Sequence, residues 1–505
     1  MVGRRHFIVL VLLLLGCAAI ALFRIWEAVE NPAGVWQDSV DYHAVSQHGW
    51  LTAQLWWGAR APGVPVLLKL SGSYRTFGIV QAILAALAWS ALSITVARLV
   101  RWDWRAVLMG WAVLAFATAP LVVQWDWSVL SESLSLSAAA MACAAALWVI
   151  WRFTWPRFVV LTLSVAAYVE LRDADIWEVM VVAAALVGVG IYRTMEGAGL
   201  SSMGIVAALR NRWEETRRWT LVGLSLLGIT VFAEAGALHA HRNVINVEHA
   251  LFVRVFPFPD RVAWFAAHGM PDAALVEQQA RSTPRPPKKI DAKVVGIDLN
   301  DPSFGALHSW FEHDAGSTYI FFLVTHPGYD LTAPFASPRL TYDDAEGQLS
   351  FYASQVTHPL NVVEDVLIPN RFVVIGLALA ALVLGVWRGI YKRPEWKFFA
   401  ILVAAGLVSM LLSWHGDGEE VTRHMVEGDV LVRFAVLVLF MFGCIGSAES
   451  PIANLAAESK ETDQLPSMPL LETHGRRSLL TWGAGSEERD LSAANGAVPP
   501  GGRDV

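Results

Sequence analysis

Apolar residues in this chain come in blocks of mostly about 17 to 22, and a block of that length crosses a hydrocarbon core of ~30 Å as a helix. A spanning segment must satisfy its own backbone hydrogen bonds, which commits such a chain to transmembrane helices before anything else is read. Only 16% of the 505 residues are charged, against roughly a quarter in soluble proteins. Ten stretches qualify: 7–23, 77–97, 106–123, 133–151, 157–171, 176–192, 220–237, 372–388, 398–414 and 430–447. Many of the 23 Trp flank these blocks, as interfacial anchors should. The first block sits behind Arg4 and Arg5, and Leu14-Leu15-Gly16-Cys17 hints at a cleavage site. Because that run is unbroken, long enough to span and followed by others, it reads as the first membrane helix. Cys17, Cys143 and Cys444 fall inside apolar blocks, so buried thiols are expected and no disulfide or zinc framework.

The short connections sort by sign. Arg4/Arg5, Arg101/Arg105, Arg152/Arg157, Arg210 to Arg218, and Arg388 to Lys397 share one side, and basic short loops mark the cytoplasm. This predicts a multi-pass protein of the plasma (inner) membrane with both termini inside. The outer connections then hold the clustered chemistry. The first (24–76) has Asp38, Asp41, His43, His48 and Arg60; the second runs through Asp126 into Ser131-Glu132-Ser133; the third is Arg172-Asp173-Ala174-Asp175. A fourth, 238–370, contains no run able to span, and the last is His415-Gly416-Asp417-Gly418-Glu419-Glu420-Val421-Thr422-Arg423-His424.

Residues 49–76 mix Trp50, Trp56 and Trp57 with Arg60, Lys69 and Arg75, which suits segments lying in the membrane interface, broken at Pro62 and Pro65. The 238–370 region reads as a small α or α/β unit, with a short helix over Arg261–His268 ended by Gly269. Its His268, His308, His313 and His326 lack metal-ligand spacing and read as ordinary histidines. The tail, 449–505, is polar and poor in large apolar residues, so a disordered cytoplasmic segment is expected. No phosphate-cradling Gly-rich loop, Gly-x-Ser-x-Gly elbow or basic stripe for nucleic acid occurs.

Asp38-Ser39-Val40-Asp41-Tyr42, then Arg60-Ala61-Pro62-Gly63-Val64-Pro65, then Ser131-Glu132-Ser133-Leu134 opening the fourth span, together resemble the polytopic GT-C glycosyltransferases. That class contains the protein mannosyltransferases and the lipid A aminoarabinose transferases. The resemblance covers mainly 24–140 and implies an all-α, GT-C-like membrane protein taking a sugar from a polyprenyl-phosphate carrier to a cell-envelope glycan, lipid or protein acceptor on the outer face. It would make Asp38 the acidic position that serves as base. The acidic pair is interrupted here, so Asp41 stays an alternative, and no oligosaccharyltransferase-type Trp-Trp-Asp motif is present.

Glycosyl transfer needs a proton acceptor for the attacking hydroxyl and positive charge at the departing phosphate. A carboxylate partly desolvated at the membrane boundary would have a raised pKa. Asp38 and Asp41 are the catalytic candidates; Arg60, Glu132, Arg172, Asp417, Arg423 and His424 are the substrate-binding candidates. Each also has a structural reading: Arg172 pairing Asp173 or Asp175 in a turn, His415–His424 as a hydrated cap, Glu132 capping the fourth span. The sequence points to no particular cofactor, although Asp38 with Asp41 would make a sparse divalent-cation site. A transporter or flippase of an envelope lipid, and a non-catalytic envelope scaffold, are the rival functions.

Overall fold

The computed structural model describes residues 2–196, 202–282, 302–336, 370–416 and 421–446. These are helical nearly throughout, and each of the ten stretches expected to span lies on a helix to within a few residues, with one exception. The helices are α1 (Val2–Glu30), α5 (Tyr74–Ala97), α6 (Trp104–Ala117), α8 (Glu132–Trp151), α9 (Trp155–Val169), α10 (Asp175–Glu196), α11 (Ser202–His239), α18 (Arg371–Trp387), α19 (Pro394–Gly416) and α21 (Val426–Ile445). By length and apolar composition, α1, α5, α8, α11, α19 and α21 are able to cross a membrane, while α6, α9 and α18 are shorter apolar helices. Between them lie α2 (Gln37–Ser46), α3 (Ala53–Trp56), α4 (Gly63–Ser71) and α7 (Pro120–Val123). The region after α11 forms α12 (Arg242–Ala250), α13 (Pro259–Ala267), α14 (Ala273–Ser282), α15 (Gly305–His313), α16 (Ala315–Thr325) and α17 (Pro327–Ala336), and α20 (Val421–His424) precedes α21.

The exception is 106–123, which is two helices. α6 stops at Ala117 because Pro120 cannot continue it. The carbonyl freed at Ala117 accepts a hydrogen bond from Arg24 Nη1 at 3.0 Å. Arg24, near the end of α1, also grips Asp126 with two parallel bonds of 2.7 Å, and Ser133 donates to the same carboxylate at 2.7 Å. Both charged partners are buried. Gln81 of α5 donates to the backbone carbonyls of Asp126 and Ser128, so four elements meet on this one segment. A charge pair in so apolar a place holds only because every partner is supplied.

α19 and α21 cross almost backbone to backbone. A Cβ on Gly406 would lie 2.7 Å from the Gly428 carbonyl, and one on Gly428 would lie 2.8 Å from the Gly406 carbonyl. Such small-residue crossings replace the hydrophobic drive that is missing in lipid. Here the crossing fixes the first turn of α21, where Glu427 and Asp429 sit.

The described part of 238–370 is all helix. Phe256, Phe265, Leu307, Trp310, Phe311 and Phe322 form its apolar centre. It joins the long helices through Tyr319, whose hydroxyl donates to the His415 carbonyl at 3.0 Å, and through Arg254 over the Trp414 ring at 4.0 Å. The helix expected over Arg261–His268 is α13, and Gly269 turns out of it with φ +94°. His268 stacks on Trp264 and His326 on Phe322. Pro65 does not break α4, since it falls in the first turn, where no intrahelical N–H bond is required. Cys444 is exposed, unlike buried Cys17 and Cys143, because it lies in the last turn of α21. The tail 449–505 lies outside the described residues.

Replacing Arg24 by alanine strands Asp126 and Ser133, so we expect a loss of about 3–5 kcal/mol of stability, as for other broken buried pairs. Thermal or denaturant unfolding of the detergent-solubilised chain would measure it. A loss under about 1 kcal/mol, the worth of an exposed pair, would contradict the buried clamp.

Candidate functional site

The extended stretch after α1 is pinned before it turns into α2. Gly34 N–H donates to the Trp127 carbonyl at 2.9 Å, and Val129 N–H donates to the Gly34 carbonyl at 2.8 Å, forming a short parallel bridge. Ser39, fully buried, donates to the Val129 carbonyl at 2.7 Å and accepts from the Trp36 N–H at 2.9 Å. The segment clamped by Arg24 therefore sets the position of α2. On a helix, residues three apart share a face. Asp38 and Asp41 thus project together, while Ser39 and Tyr42 point inward. The interruption in Asp-Ser-Val-Asp is what puts both acids on one side.

Arg60 bridges them, with Nη2 at 2.7 Å from Asp38 Oδ1 and 2.6 Å from Asp41 Oδ2. The other oxygen of Asp38 pairs with Arg423, which comes from α20 at the far end of the chain. Arg423 Nε lies 2.9 Å from Glu132 Oε1. Arg172, in the turn before α10, pairs with Glu427, lies 3.7 Å from Glu132 and meets His424 Nδ1 at 2.9 Å. Glu132, in the first turn of α8, is fully buried. Residues from five separate stretches therefore interlock on the wall of a cavity of about 590 Å³, into which Asp38, Asp41, Arg60, Arg172, Arg423 and His424 face.

Of the residues singled out from sequence, Asp38, Asp41, Arg60, Glu132, Arg172, Arg423 and His424 thus come together, and Asp417 lies outside the described residues. Arg172 pairs across the bundle with Glu427 and Glu132 rather than within its own turn. Sequence reasoning missed Glu427, Arg24 and Arg242. Glu427 stands one helical turn after Arg423 at the start of an apolar run, a usable signal. Arg24 closes an apolar block, where it passes for a flanking charge. Arg242 had no signal at all.

One expectation is reversed. Burial pushes the Asp38 carboxyl up, as anticipated, but Arg423 and Arg60 outweigh it and hold Asp38 below the usual carboxylate range. The N-terminal turn of α2 favours the same ionised form. Burial alone would lower Arg172, yet Glu427 and Glu132 more than compensate, and its guanidinium stays charged. Arg60 occupies the space between Asp38 and Asp41 where a cation joining them would sit, so a divalent ion there would have to displace a guanidinium.

No family model matches the chain, and no curated protein does. Among solved structures the chain is similar to the archaeal oligosaccharyltransferase AglB from Archaeoglobus fulgidus, in complex with an inhibitory peptide and a dolichol-phosphate. The identity is 13% and the TM-score 0.41, over 92% of this chain and 52% of that one. The chain spans about half the length of that neighbour.

Asp38 titrates lower in the folded chain than the unfolded value of about 3.9, so its pairing contributes stability above that value, lost as pH falls through the folded one. The difference in melting temperature between wild type and Asp38→Asn should stay constant from neutral pH down to about pH 5 and shrink only below about pH 4. A difference that shrinks between pH 7 and 5 would mean the carboxyl is raised instead.

Proposed function

We propose that this protein is a membrane glycosyltransferase of GT-C type, moving a sugar from a polyprenyl-phosphate carrier to an acceptor hydroxyl of the cell envelope, with its site on the extracytoplasmic side. One observation carries the reading: Asp38 is held between Arg60 and Arg423 on the wall of a cavity where the ends of membrane-length helices meet. The charge pattern supports that side, because the connections opposite the cavity hold Arg101, Arg152, Arg388 and Lys392.

The acceptor oxygen attacks the anomeric carbon, the bond from that carbon to the carrier's phosphate oxygen breaks, and the phosphate leaves with the electron pair. The hydroxyl proton passes to Asp38. Arg60 and Arg423 face the same space, and an arginine fork matches phosphate oxygens at any working pH. When a phosphate takes these guanidiniums, Asp38 loses the partners that keep its pKa low, while its burial remains. Carrier binding therefore turns a poor base into a better one. Glu132 and Glu427 hold Arg423 and Arg172 in place, and Asp41 fixes Arg60 from the solvent side. A divalent cation, if used, would enter by replacing Arg60 between the two aspartates.

A transporter would carry its charges near the middle of its helices. Here Arg24, Glu132, Asp175, Glu178, Glu427, Asp429 and Arg433 all lie within about two turns of the cavity end of their helices, which supports the enzyme.

In nanodiscs with a polyprenyl-phosphate sugar, Asp38→Asn should lower kcat by about 100-fold or more while carrier binding survives. Asp41→Asn, which leaves Arg423 on Asp38, should cost less than about tenfold. Full turnover by a properly inserted Asp38→Asn chain would remove that residue from the chemistry and the reading with it. The pH dependence separates free enzyme from complex: the acid limb of kcat should lie at higher pH than the limb of kcat/KM, because binding removes the arginines from Asp38.

A further inference from the structure

Arg242 opens α12 and lines the same cavity, and its surroundings differ from those of the other arginines. Its side chain is only 5% exposed, yet among the described residues it has a single ion pair, Nη2 to Asp173 Oδ1 at 3.2 Å. Its Nε and Nη1 make no hydrogen bond among the described residues. A buried guanidinium with two donors unused is costly unless a further acceptor engages it. Arg60 and Arg423 each meet two carboxylates at 2.9 Å or less, whereas Arg242 meets Asp173 at 3.2 Å. Burial raises the Asp173 carboxyl, and nearby Arg242, Arg60 and Arg172 only partly offset that.

The backbone adds to this. α12 has no side-chain cap, because His241, its N-cap residue, takes the left-handed conformation at φ 51°. Its nine residues begin beside the cavity, and His241, Arg242 and Asn246 all line it. The start of α12 carries the positive end of the helix dipole. Arg60, Asp173 and Arg242 line the same cavity.

We propose that Arg242 and the start of α12 form a second phosphoryl subsite, separate from the one at Arg60 and Arg423, so that the carrier linkage recognised here contains two phosphoryl groups. This rests on the function proposed above and narrows its donor to a diphosphate-linked lipid. Asp173 is then a place-holder, giving up Arg242 as the second phosphate arrives.

The test is binding of orthophosphate and of pyrophosphate to the full chain in detergent, by calorimetry. Wild type should prefer pyrophosphate by about tenfold or more, the worth of one charge-assisted bidentate contact. Arg242→Gln should erase that preference and leave orthophosphate binding unchanged. Asp173→Asn should keep the preference, since it removes only the competitor. Arg60→Gln should weaken both anions. Should Arg242→Gln not fold, Arg242→Lys keeps the charge but loses the fork and should lose part of the preference. Retention of the full preference by either Arg242 variant would overturn the subsite. So would equal weakening of both anions by Arg242→Gln, or loss of the preference in Asp173→Asn, which would mark the pair as purely structural. If Arg60→Gln weakens both anions while Arg242→Gln changes neither, the subsite falls and the donor-phosphate reading stands. If Arg60→Gln changes neither, both fall together.

Discussion

Buried guanidinium groups need carboxylates, and that requirement organises this molecule more than any packing contact. Arg172 and Arg423 are nearly fully buried, and neither could stay charged there without Glu132, Glu427 and Asp38 beside it. The Asp38–Arg423 pair joins residues 385 positions apart and ties the segment after the first helix to the turn before the last. Each end of that tie has its own scaffold. Asp38 is fixed by Ser39 on the Val129 carbonyl, and through it by the Arg24–Asp126 clamp. Arg423 is held by Glu132, 2.9 Å from its Nε, and stands just before the first turn of α21, which the glycine crossing seats. Apolar packing brings the helices alongside one another, and the ion pairs set which ends must coincide.

The helices were legible because lipid leaves so few choices. A stretch with the length of 77–97 or 133–151 has no alternative fold in a bilayer, and both are helices here. The break at Ala117 was the exception: Pro120 was visible, but the use made of the freed carbonyl depends on Arg24, 93 positions away. The meeting of Asp38, Arg60, Glu132, Arg172 and Arg423 could be anticipated because sign-sorted loops put them at one end of the bundle. Their pairing could not, since nothing in the sequence says which arginine reaches which acid. The direction of the Asp38 shift failed for that reason: burial was inferred correctly, and the two guanidiniums that overrule it were not assigned to it. Arg242 was lost among other polar residues because the orientation of α12 is a tertiary fact.

The charge count around the cavity bears on how an anionic substrate could enter it at all. Asp38, Asp41 and Asp173 line the cavity with Arg60, Arg172, Arg242 and Arg423, and Glu132 and Glu427 pair with Arg423 and Arg172, so each guanidinium there already has a carboxylate. Adding a phosphate to such a site is unfavourable unless guanidiniums are released to it and a carboxylate is neutralised. On the proposed reaction both happen in one event. As the bond to the sugar breaks, the departing phosphate gains negative charge. In the same step Asp38 takes the acceptor proton and loses its own. The net charge of the cavity then stays constant through the transfer, and the arginines need only shift from the acid that is being protonated to the phosphate that is leaving. A neutral or cationic substrate would offer the guanidiniums no acceptor to move to, and the ion pairs would then serve only to hold the helix ends together.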